Sequence, residues 1–226
     1  TFTLSTPQKF GTPGPTRPGG VDADNNGARY LAGTFTHRFV WGTSELTCEG
    51  QCGYLAKLAE DGTLLWLEAV KPNGCALAQV TRVAADDEDN VIVIGDQGPL
   101  GKSAFFQKRN ANGQVVFTQE FSSSQHVEVH ALAVDRFMRI TVAGGFTATW
   151  QDGSSTLEGS SDAVSDAWVA QYSSAGGPLW ARAYSSHGKL AQVNAAPIDP
   201  YGNVVLAGIA SYLDVQGTII DALANG

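Results

Sequence analysis

Residues 54–66 read YLAKLAEDGTLLW, and the rest of the chain repeats the plan of this stretch. One aromatic residue opens it, a second closes it twelve positions later, and a glycine-containing turn lies between them. Residues 105–117 (FFQKRNANGQVVF) and 168–180 (WVAQYSSAGGPLW) have the same spacing. Each pair is followed 27 to 29 residues later by a glycine that ends an apolar run; Gly33 opens this series, which continues at Gly95, Gly144 and Gly208. A strand-rich repeat of roughly fifty residues predicts a repetitive all-β fold, most often a β-propeller.

The units divide further into strands. Val, Ile, Phe and Trp alternate with small or polar residues, as in half-buried strands, and each unit has up to four such runs, here named strands a to d. We therefore predict a single all-β domain, a β-propeller of four-stranded antiparallel blades. Its ranges are 1–20 for the end of a preceding blade and a connection, 21–70, 80–121 and 129–184 for three full blades, and 192–226 for a partial blade. Because the last unit lacks strands c and d, we expect further blades beyond both ends or another chain that completes the ring.

One connection varies in length while the other intervals stay nearly fixed. From the strand-b glycine to the strand-c aromatic there are 21, 10 and 24 residues in successive units. Insertions in repeat proteins cluster on one face, which is often the binding face. The b–c and d–a connections share that face, and its candidate binding residues are Trp41, Trp150, His126 and His187. We expect Trp41 and Trp150 to be exposed, and the repeated Trp66, Trp168 and Trp180 to form core layers between blades.

The three cysteines are Cys48, Cys52 and Cys75. Cys48 and Cys52 lie in a glycine-containing loop without a second cysteine pair or a nearby histidine, which argues against zinc. A short-loop disulfide between them is the preferred interpretation, and it would place the protein outside the cytoplasm. Three reduced thiols in a cytoplasmic protein are the alternative, and the pairing of Cys75 is open.

Composition excludes some partners. The net charge is −8, with 14 basic and 22 acidic residues and no basic cluster, which argues against nucleic acid and against an anionic membrane surface. No apolar run approaches the length of a transmembrane helix. The chain begins at Thr1 without an initiator Met or a signal peptide, so we expect a mature form or a fragment.

Sequence motifs for cofactors and catalysis are weak. Residues 22–27 (DADNNG) imitate the start of a calcium loop, but glycine occupies the twelfth position, where a bidentate Glu is needed. The acidic run 86–89 could attract Ca²⁺ weakly, although a solvated turn is the preferred reading. The four histidines have no metal spacing, and no Gly-x-Ser-x-Gly motif is present. We therefore predict no catalytic residue, metal site or cofactor beyond weak Ca²⁺ at the acidic turns; carboxylate pairs for glycoside hydrolysis, which meet only in space, stay open.

Several motifs resemble the β-propeller repeat of exported bacterial proteins known as the SBBP repeat. They are Asp199-Pro-Tyr-Gly-Asn203 followed by an apolar strand to Gly208, Asp166-Ala-Trp-Val-Ala170, Tyr54-Leu-Ala-Lys-Leu58 and Gly62-Thr-Leu-Leu-Trp66. The resemblance covers about residues 20–215; the second unit departs from it, with Phe117 in place of Trp. It implies a propeller and export from a bacterial cell, and it carries no catalytic motif.

Two classes of function follow. The first is a non-enzymatic extracellular, periplasmic or cell-surface module that binds a protein or a glycan through the b–c face. The second is a propeller enzyme of the quinoprotein type, with its cofactor in a central channel. The second class needs metal-binding carboxylates and usually more blades, which the sequence does not show, so the binding module is the preferred interpretation.

Overall fold

A computed structural model describes residues 16–74, 77–98, 101–160, 164–215 and 218–221. The first sheet has the order β1 (Thr16–Ala23), β2 (Arg29–Trp41), β3 (Ser44–Leu58) and β4 (Leu64–Val70). After a 3-10 turn (Pro72–Gly74), the second sheet begins with β5 (Ala78–Ala85), β6 (Val91–Gln97), β7 (Ser103–Arg109) and β8 (Val115–Ser123). Neighbouring strands pair antiparallel, so the predicted four-strand units exist here as two meanders.

The third sheet contains an insertion. It starts with β9 (His126–Val134) and β10 (Ile140–Thr147), and the chain then forms β11 (Thr149–Gln151) and β12 (Thr156–Glu158). These two short strands leave their own sheet and extend the second sheet beyond β8. The chain returns with β13 (Asp166–Tyr172) and β14 (Pro178–Tyr184). The third b–c insertion therefore covers the outer edge of its neighbour.

The remaining strands form two pairs, β15 (Ala191–Ala195) with β16 (Ala207–Ala210) and β17 (Tyr212–Val215) with β18 (Thr218–Asp221). We call the first of these pairs the fourth sheet. The all-β class with several antiparallel sheets is confirmed. Strands β1, β5, β9 and β15 lead their sheets, and each contacts the next one in the series. The described sheets do not form a closed ring, and the propeller itself stays a prediction.

The glycine of each strand b has a steric cause. Gly33, Gly95, Gly144 and Gly208 lie opposite a β-bulge in strand a, where one extra residue enters the ladder. A Cβ added at any of these glycines would overlap the carbonyl oxygen of the facing strand. In the first three sheets the same glycine pairs with the strand-c aromatic, namely Tyr54, Phe105 or Trp168. The sequence had suggested that these glycines end their strands, but they lie within them.

The repeated aromatic pairs divide into two roles. The strand-c members Tyr54, Phe105 and Trp168 are buried. The strand-d members are half-buried and meet the next sheet: the Trp66 indole donates to the carbonyl of Ala111 at 2.9 Å, and Gly176 lies against Phe117. Core burial of Trp168 is confirmed, whereas Trp66 and Trp180 are only half-buried because strand d lies at the outer side of its sheet.

Turn aspartates close the a–b turns. Asp24, Asp86, Asp135 and Asp199 each accept amide hydrogen bonds from residues two and four positions later. The first of these turns therefore begins at Asp24, two residues after Asp22. Asp22 instead accepts from the backbone amide of Ala85 at 2.9 Å and so links the first two sheets.

Basic side chains neutralise three of the turn aspartates. Lys57 lies 3.4 Å from Asp24, and Lys108 lies 2.8 Å from Asp86. In the third sheet Gln171 occupies the strand position that Lys57 and Lys108 have in the first two sheets. Arg139 pairs with Asp135 at 2.6 Å instead. Burial raises the pKa of Asp86, but hydrogen bonds from Lys108 and Asn90 outweigh it and hold that pKa below its usual value. These contacts make the acidic turns structural elements of the sheets.

The predicted disulfide between Cys48 and Cys52 is present in the structure, and both residues are buried. It closes a bulge at which β3 carries extra residues opposite His37, whose φ is 62°. The first b–c insertion is consequently a long β2–β3 hairpin and not a loop. Cys75 lies outside the described residues.

The predicted unit boundaries shift at the start of the chain. Residues 16–20, assigned to a connection from the sequence, belong to β1, because the bulge at Gly19 lets this strand continue past Val21. Residues 1–15 and 222–226 lie outside the described ranges. In the part of the chain that the structure describes, no helix is long and apolar enough to cross a membrane.

Candidate functional site

The expectation that Trp41 and Trp150 are exposed is wrong. Trp41 is 5% exposed and packs edge-on against Phe39 in the hairpin of the first sheet. Trp150 is fully buried between Phe121 and Trp168, at 5.6 and 5.0 Å between ring centroids. Both insertions form strands whose inward positions need large apolar side chains, so an aromatic near the start of an insertion enters a core. The two tryptophans also belong to separate clusters and share no surface.

The two candidate histidines lie in different places. His187 is in the connection between β14 and β15, where its backbone amide donates to the hydroxyl of Ser185. His126 opens β9, and its side chain is 43% exposed beside a cavity of about 330 Å³ between the second and third sheets. We call this cavity the polar pocket; its lining residues are Gln51, Leu77, Gln79, Asp96, Gln97, Gly98, Gly101, His126, Val127 and Glu128.

The polar pocket lies where the b–c and d–a connections of the second sheet emerge. Gly98 and Gly101 belong to the connection from β6 to β7, the shortest b–c connection of the chain, and both have positive φ, 74° and 61°. A Cβ at Gly101 would overlap the His126 ring. Two glycines thus let the backbone turn tightly beside the pocket, and the absence of a Cβ at Gly101 leaves room for the His126 imidazole.

Asp96 is the buried acid of this pocket. Its Oδ1 accepts the backbone amide of Val129, on β9, at 3.3 Å. Burial raises the pKa of Asp96 to about 6, the neighbouring charge of Glu128 adds to the rise, and the Val129 amide and the charges of His130 and His126 oppose it. The carboxyl group therefore keeps its proton to a higher pH than an ordinary surface Asp does.

Glu128 holds two histidines. Its Oε1 lies 3.0 Å from Nε2 of His126, and its Oε2 lies 3.0 Å from Nε2 of His130. The hydrogen bond with His130 contributes most to a pKa of about 2 for Glu128, with burial opposing it and the His126 contact adding to it. His130 is the extra residue of the strand-a bulge, which turns its ring back toward the same carboxylate.

Gln97 has an unsatisfied acceptor. It is 7% exposed, and its amide nitrogen donates to the Glu120 carboxylate on β8. Its Oε1 is buried and has no hydrogen-bond partner. Successive strand residues point to opposite faces, so the Gln97 side chain lies on the side of the first sheet, away from Asp96, and its buried Oε1 is not an open acceptor of the pocket.

The corresponding positions in the other sheet interfaces carry no charge. Between the first and second sheets, the strand register places Thr34 at the position of Asp96, and its hydroxyl accepts the amide of Val80 at 3.1 Å. Between the third and fourth sheets, Gly145 has this position. The register likewise replaces His126, Glu128 and His130 by neutral residues, which are Leu77, Gln79 and Thr81 in one interface and Leu190, Gln192 and Asn194 in the other. The fold therefore does not require Asp96, Glu128, His126 and His130, which we call the acid–histidine group.

The arrangement can bind donors and hold protons. Among the described residues no three His, Cys, Asp or Glu side chains are placed to hold a metal ion. Sequence reasoning found His126 but missed Asp96, Glu128 and Gln97, since these belong to two strands of different sheets. The available signal was that these positions carry acidic or basic residues in one repeat and neutral residues in the others. Aligning the repeats position by position requires the strand register at the bulge.

A second opening lies beside the fourth sheet. β16 pairs with β15 alone among the described strands, and Ile209 is 56% exposed, whereas the equivalent strands β6 and β10 are almost wholly buried. A cavity of about 400 Å³ lies along β16, and another of about 340 Å³ is lined in part by Trp180 and Arg182. In the earlier interfaces the c–d turn of the following sheet covers the equivalent of Trp180.

No family model matches the chain, and no curated protein matches it. Among solved structures the chain is similar to a luciferin-regenerating enzyme, with 14% sequence identity and a TM-score of 0.43. That similarity covers 91% of this chain and 72% of the other. It is too distant to assign a fold family or an activity to this protein.

Proposed function

We propose that this protein is an exported β-propeller of the SBBP-repeat type that acts as a non-enzymatic interaction module. Four successive units with one register support the propeller: each has a bulge in strand a, a glycine opposite it in strand b, and contacts from its strand a to the next. The buried disulfide between Cys48 and Cys52 supports an oxidising, extracellular or periplasmic environment.

The polar pocket is the site through which the module binds its partner. The observation that carries this proposal is the charged group of Asp96, Glu128, His126 and His130, which only this one of the three interfaces possesses. A buried acid with a raised pKa costs stability, and the Thr34 hydroxyl performs the same structural task without that cost. A group that the fold does not need, placed at an open cavity, is explained by a ligand.

A protein partner fits the site better than a glycan. Sugar-binding sites commonly offer an aromatic face, but Trp41 and Trp150 are buried and the residues lining the polar pocket include no Trp, Tyr or Phe. Amide and carboxylate side chains at the wall suit single polar side chains from a protein loop. We propose that the open side of β16 completes its sheet with strands from further blades or another chain.

The experiment tests peptides and glycans as ligands in parallel. The immobilised protein is screened against a displayed peptide library and a glycan array, and each hit is remeasured with Asp96→Thr, which copies the first interface. Glu158→Gln, an exposed site on β12, is the control for loss of one negative charge. We expect peptide hits that weaken at least about tenfold in Asp96→Thr and stay unchanged in the control. Hits that only glycans provide would change the partner class, and hits insensitive to Asp96→Thr would remove the pocket as the site.

A further inference from the structure

We propose that the open side of the fourth sheet binds a c–d hairpin with an acidic turn, and that the carboxylates of this turn contact Arg139 and Arg182 beside Trp180. The hairpin is supplied by the polypeptide that continues the repeat. This inference rests on the proposed function, in which additional strands complete the fourth sheet at β16, and it names the chemistry by which they bind. It concerns the side of the third sheet that faces away from the polar pocket.

Among the described residues, the fourth sheet has no strand on the far side of its strand b. The strand-b glycines of the first three sheets pair with a strand-c aromatic residue and are buried, whereas Gly208 is exposed. Of the described strands only β15 pairs with β16, so one row of backbone donors and acceptors on β16 is open to a further strand. A strand that pairs there in the common register places a large side chain opposite Gly208.

The two earlier interfaces show what occupies this place. The indole of Trp66 donates a hydrogen bond to the carbonyl of Ala111, in the c–d turn of the second sheet, at 2.9 Å. The ammonium group of Lys108 donates to the carbonyl of Ser174, in the c–d turn of the third sheet, at 3.2 Å. At the next interface the Trp180 indole donates to a side chain of its own sheet, at 3.2 Å. A c–d turn is therefore the element that belongs over Trp180.

Two arginines line the cavity of about 340 Å³ at this place, together with Trp180. The guanidinium of Arg182 lies over the Trp180 ring, 5.8 Å from its centroid, and no carboxylate among the described residues pairs with it. Arg139 uses its Nε for Asp135, and one of its terminal nitrogens, beside Gly202, offers further donors. The residues that line the cavity include no acid, so the cavity is cationic in a protein with a net charge of −8.

The positive charge distinguishes the third sheet from the first two. The strand register places Glu68 and Gln119 at the position of Arg182 in those sheets. The c–d turns that cover them, residues 110–113 and 173–177, consist of Asn, Ala, Ser and Gly and carry no charge. A cationic surface favours a turn with carboxylates, since complementary charges select the partner. This chain contains such a c–d turn at residues 60–62 (Glu-Asp-Gly).

The course of the chain indicates the source of the hairpin. In the third unit the b–c insertion forms β11 and β12, of which β11 pairs with strand d of the second sheet, and the chain then returns as strand c. β17 and β18 follow strand b of the fourth sheet in the same way, and β17 contacts β14, which is strand d of the third sheet. The fourth unit thus takes the path that leads to strand c, so the hairpin that fits is the one that continues this repeat.

The test uses two cyclic peptides and the full chain of 226 residues. One peptide copies residues 54–69, the acidic c–d hairpin of the first sheet, and is closed by a peptide bond between its ends, which face each other in the ladder. The matched peptide carries Glu60→Gln and Asp61→Asn. NMR follows the indole N–H signal of Trp180, assigned with Trp180→Phe. We expect the acidic peptide to shift this signal and to bind at least about fivefold more tightly than its neutral match.

Two variants of the chain locate the contact. Arg182→Gln copies the second sheet, and it should weaken the acidic peptide by at least about fivefold while leaving the neutral peptide unchanged. Arg82→Gln removes an exposed arginine of β5 that does not line the cavity, and as the control it should change neither peptide. A chain extended by the following residues of its gene should no longer bind the peptide, because its own hairpin fills the place.

Each other result has one meaning. Equal binding of the two peptides overturns the acidic turn, and binding that is insensitive to Arg182→Gln overturns the site. If neither peptide shifts the Trp180 signal, the hairpin inference is wrong, while the proposed function is judged separately by the sensitivity of selected ligands to Asp96→Thr. Peptide binding that persists in the extended chain would assign the hairpin to another chain and contradict the inference. Self-association that Arg182→Gln abolishes, measured by sedimentation, would assign the place to a second copy and contradict it as well.

Discussion

The interface between the first and second sheets and the interface between the second and third sheets share one backbone design but differ in chemistry. In both, the residue after the strand-b glycine accepts a bulge amide from the next sheet, at Thr34 in one and Asp96 in the other. The first interface is neutral at its open end, and its core is mainly aliphatic. The second has the acid–histidine group and an aromatic core of Phe106, Phe121, Trp150, Trp168 and Tyr172. The difference teaches which features the fold requires and which it only permits.

The aromatic core gives the largest expected effect. Trp150→Ala should lower the free energy of unfolding by about 3–5 kcal/mol, since it removes a fully buried indole that packs against the rings of Phe121 and Trp168 and leaves a cavity. Trp66→Ala should cost only about 1–2 kcal/mol, because Trp66 is a half-buried residue of the first sheet. Urea unfolding of both variants measures the contrast. Equal losses at the two positions would contradict the assignment of Trp150 to the core.

Thr34→Asp transfers the acid to the neutral interface. The first interface has Gln79 and Thr81 in place of Glu128 and His130, so no imidazole stabilises the new carboxylate. We expect a loss of about 3 kcal/mol or more at neutral pH, shrinking toward zero as the group is protonated in acid. Unfolding at several pH values tests this. A pH-independent loss would mean that shape, and not charge, is at fault.

Asp96→Thr makes the opposite exchange. The folded pKa of Asp96 is about 6, above the ordinary value near 4, so the native state binds more protons than the unfolded chain between these values. The stability from this group is therefore complete at low pH and is lost as the pH rises to about 6. The variant should match the wild type near pH 4 and exceed it by up to about 3 kcal/mol near pH 8. A variant less stable than the wild type near pH 8 would show that the fold depends on the carboxylate.

The disulfide gives the smallest expected effect. Replacing Cys48 and Cys52 by Ser should cost about 2 kcal/mol, because the closed loop is short. The change should stay local to the β2–β3 hairpin and leave the polar pocket unaffected. Unfolding of the double variant measures the cost, and peptide mapping without reduction checks the pairing in the wild type. Free thiols at both positions would contradict the disulfide and with it the support for an oxidising environment.

Much of the fold follows from the sequence because its causes are local. The alternation of apolar residues and the turn glycines predict the four-strand plan that the first three sheets have. The glycine and the strand-c aromatic recur together because they face each other across one ladder position. The insertions were less predictable: Trp150 looks like a loop residue by its position, yet β11 adds to a neighbouring sheet and buries it.

By itself, the sequence determined the all-β class, the repeat and the candidate disulfide, since each depends on spacing along the chain. It could not determine that the acidic turns are neutralised by Lys57 and Lys108 from another strand, because that needs the strand order. Only the tertiary structure placed Asp96, Gln97 and Glu128 around one cavity. They lie on two strands of different sheets, and a bulge shifts the register between them. The burial that raises the pKa of Asp96 exists only when those sheets are packed together.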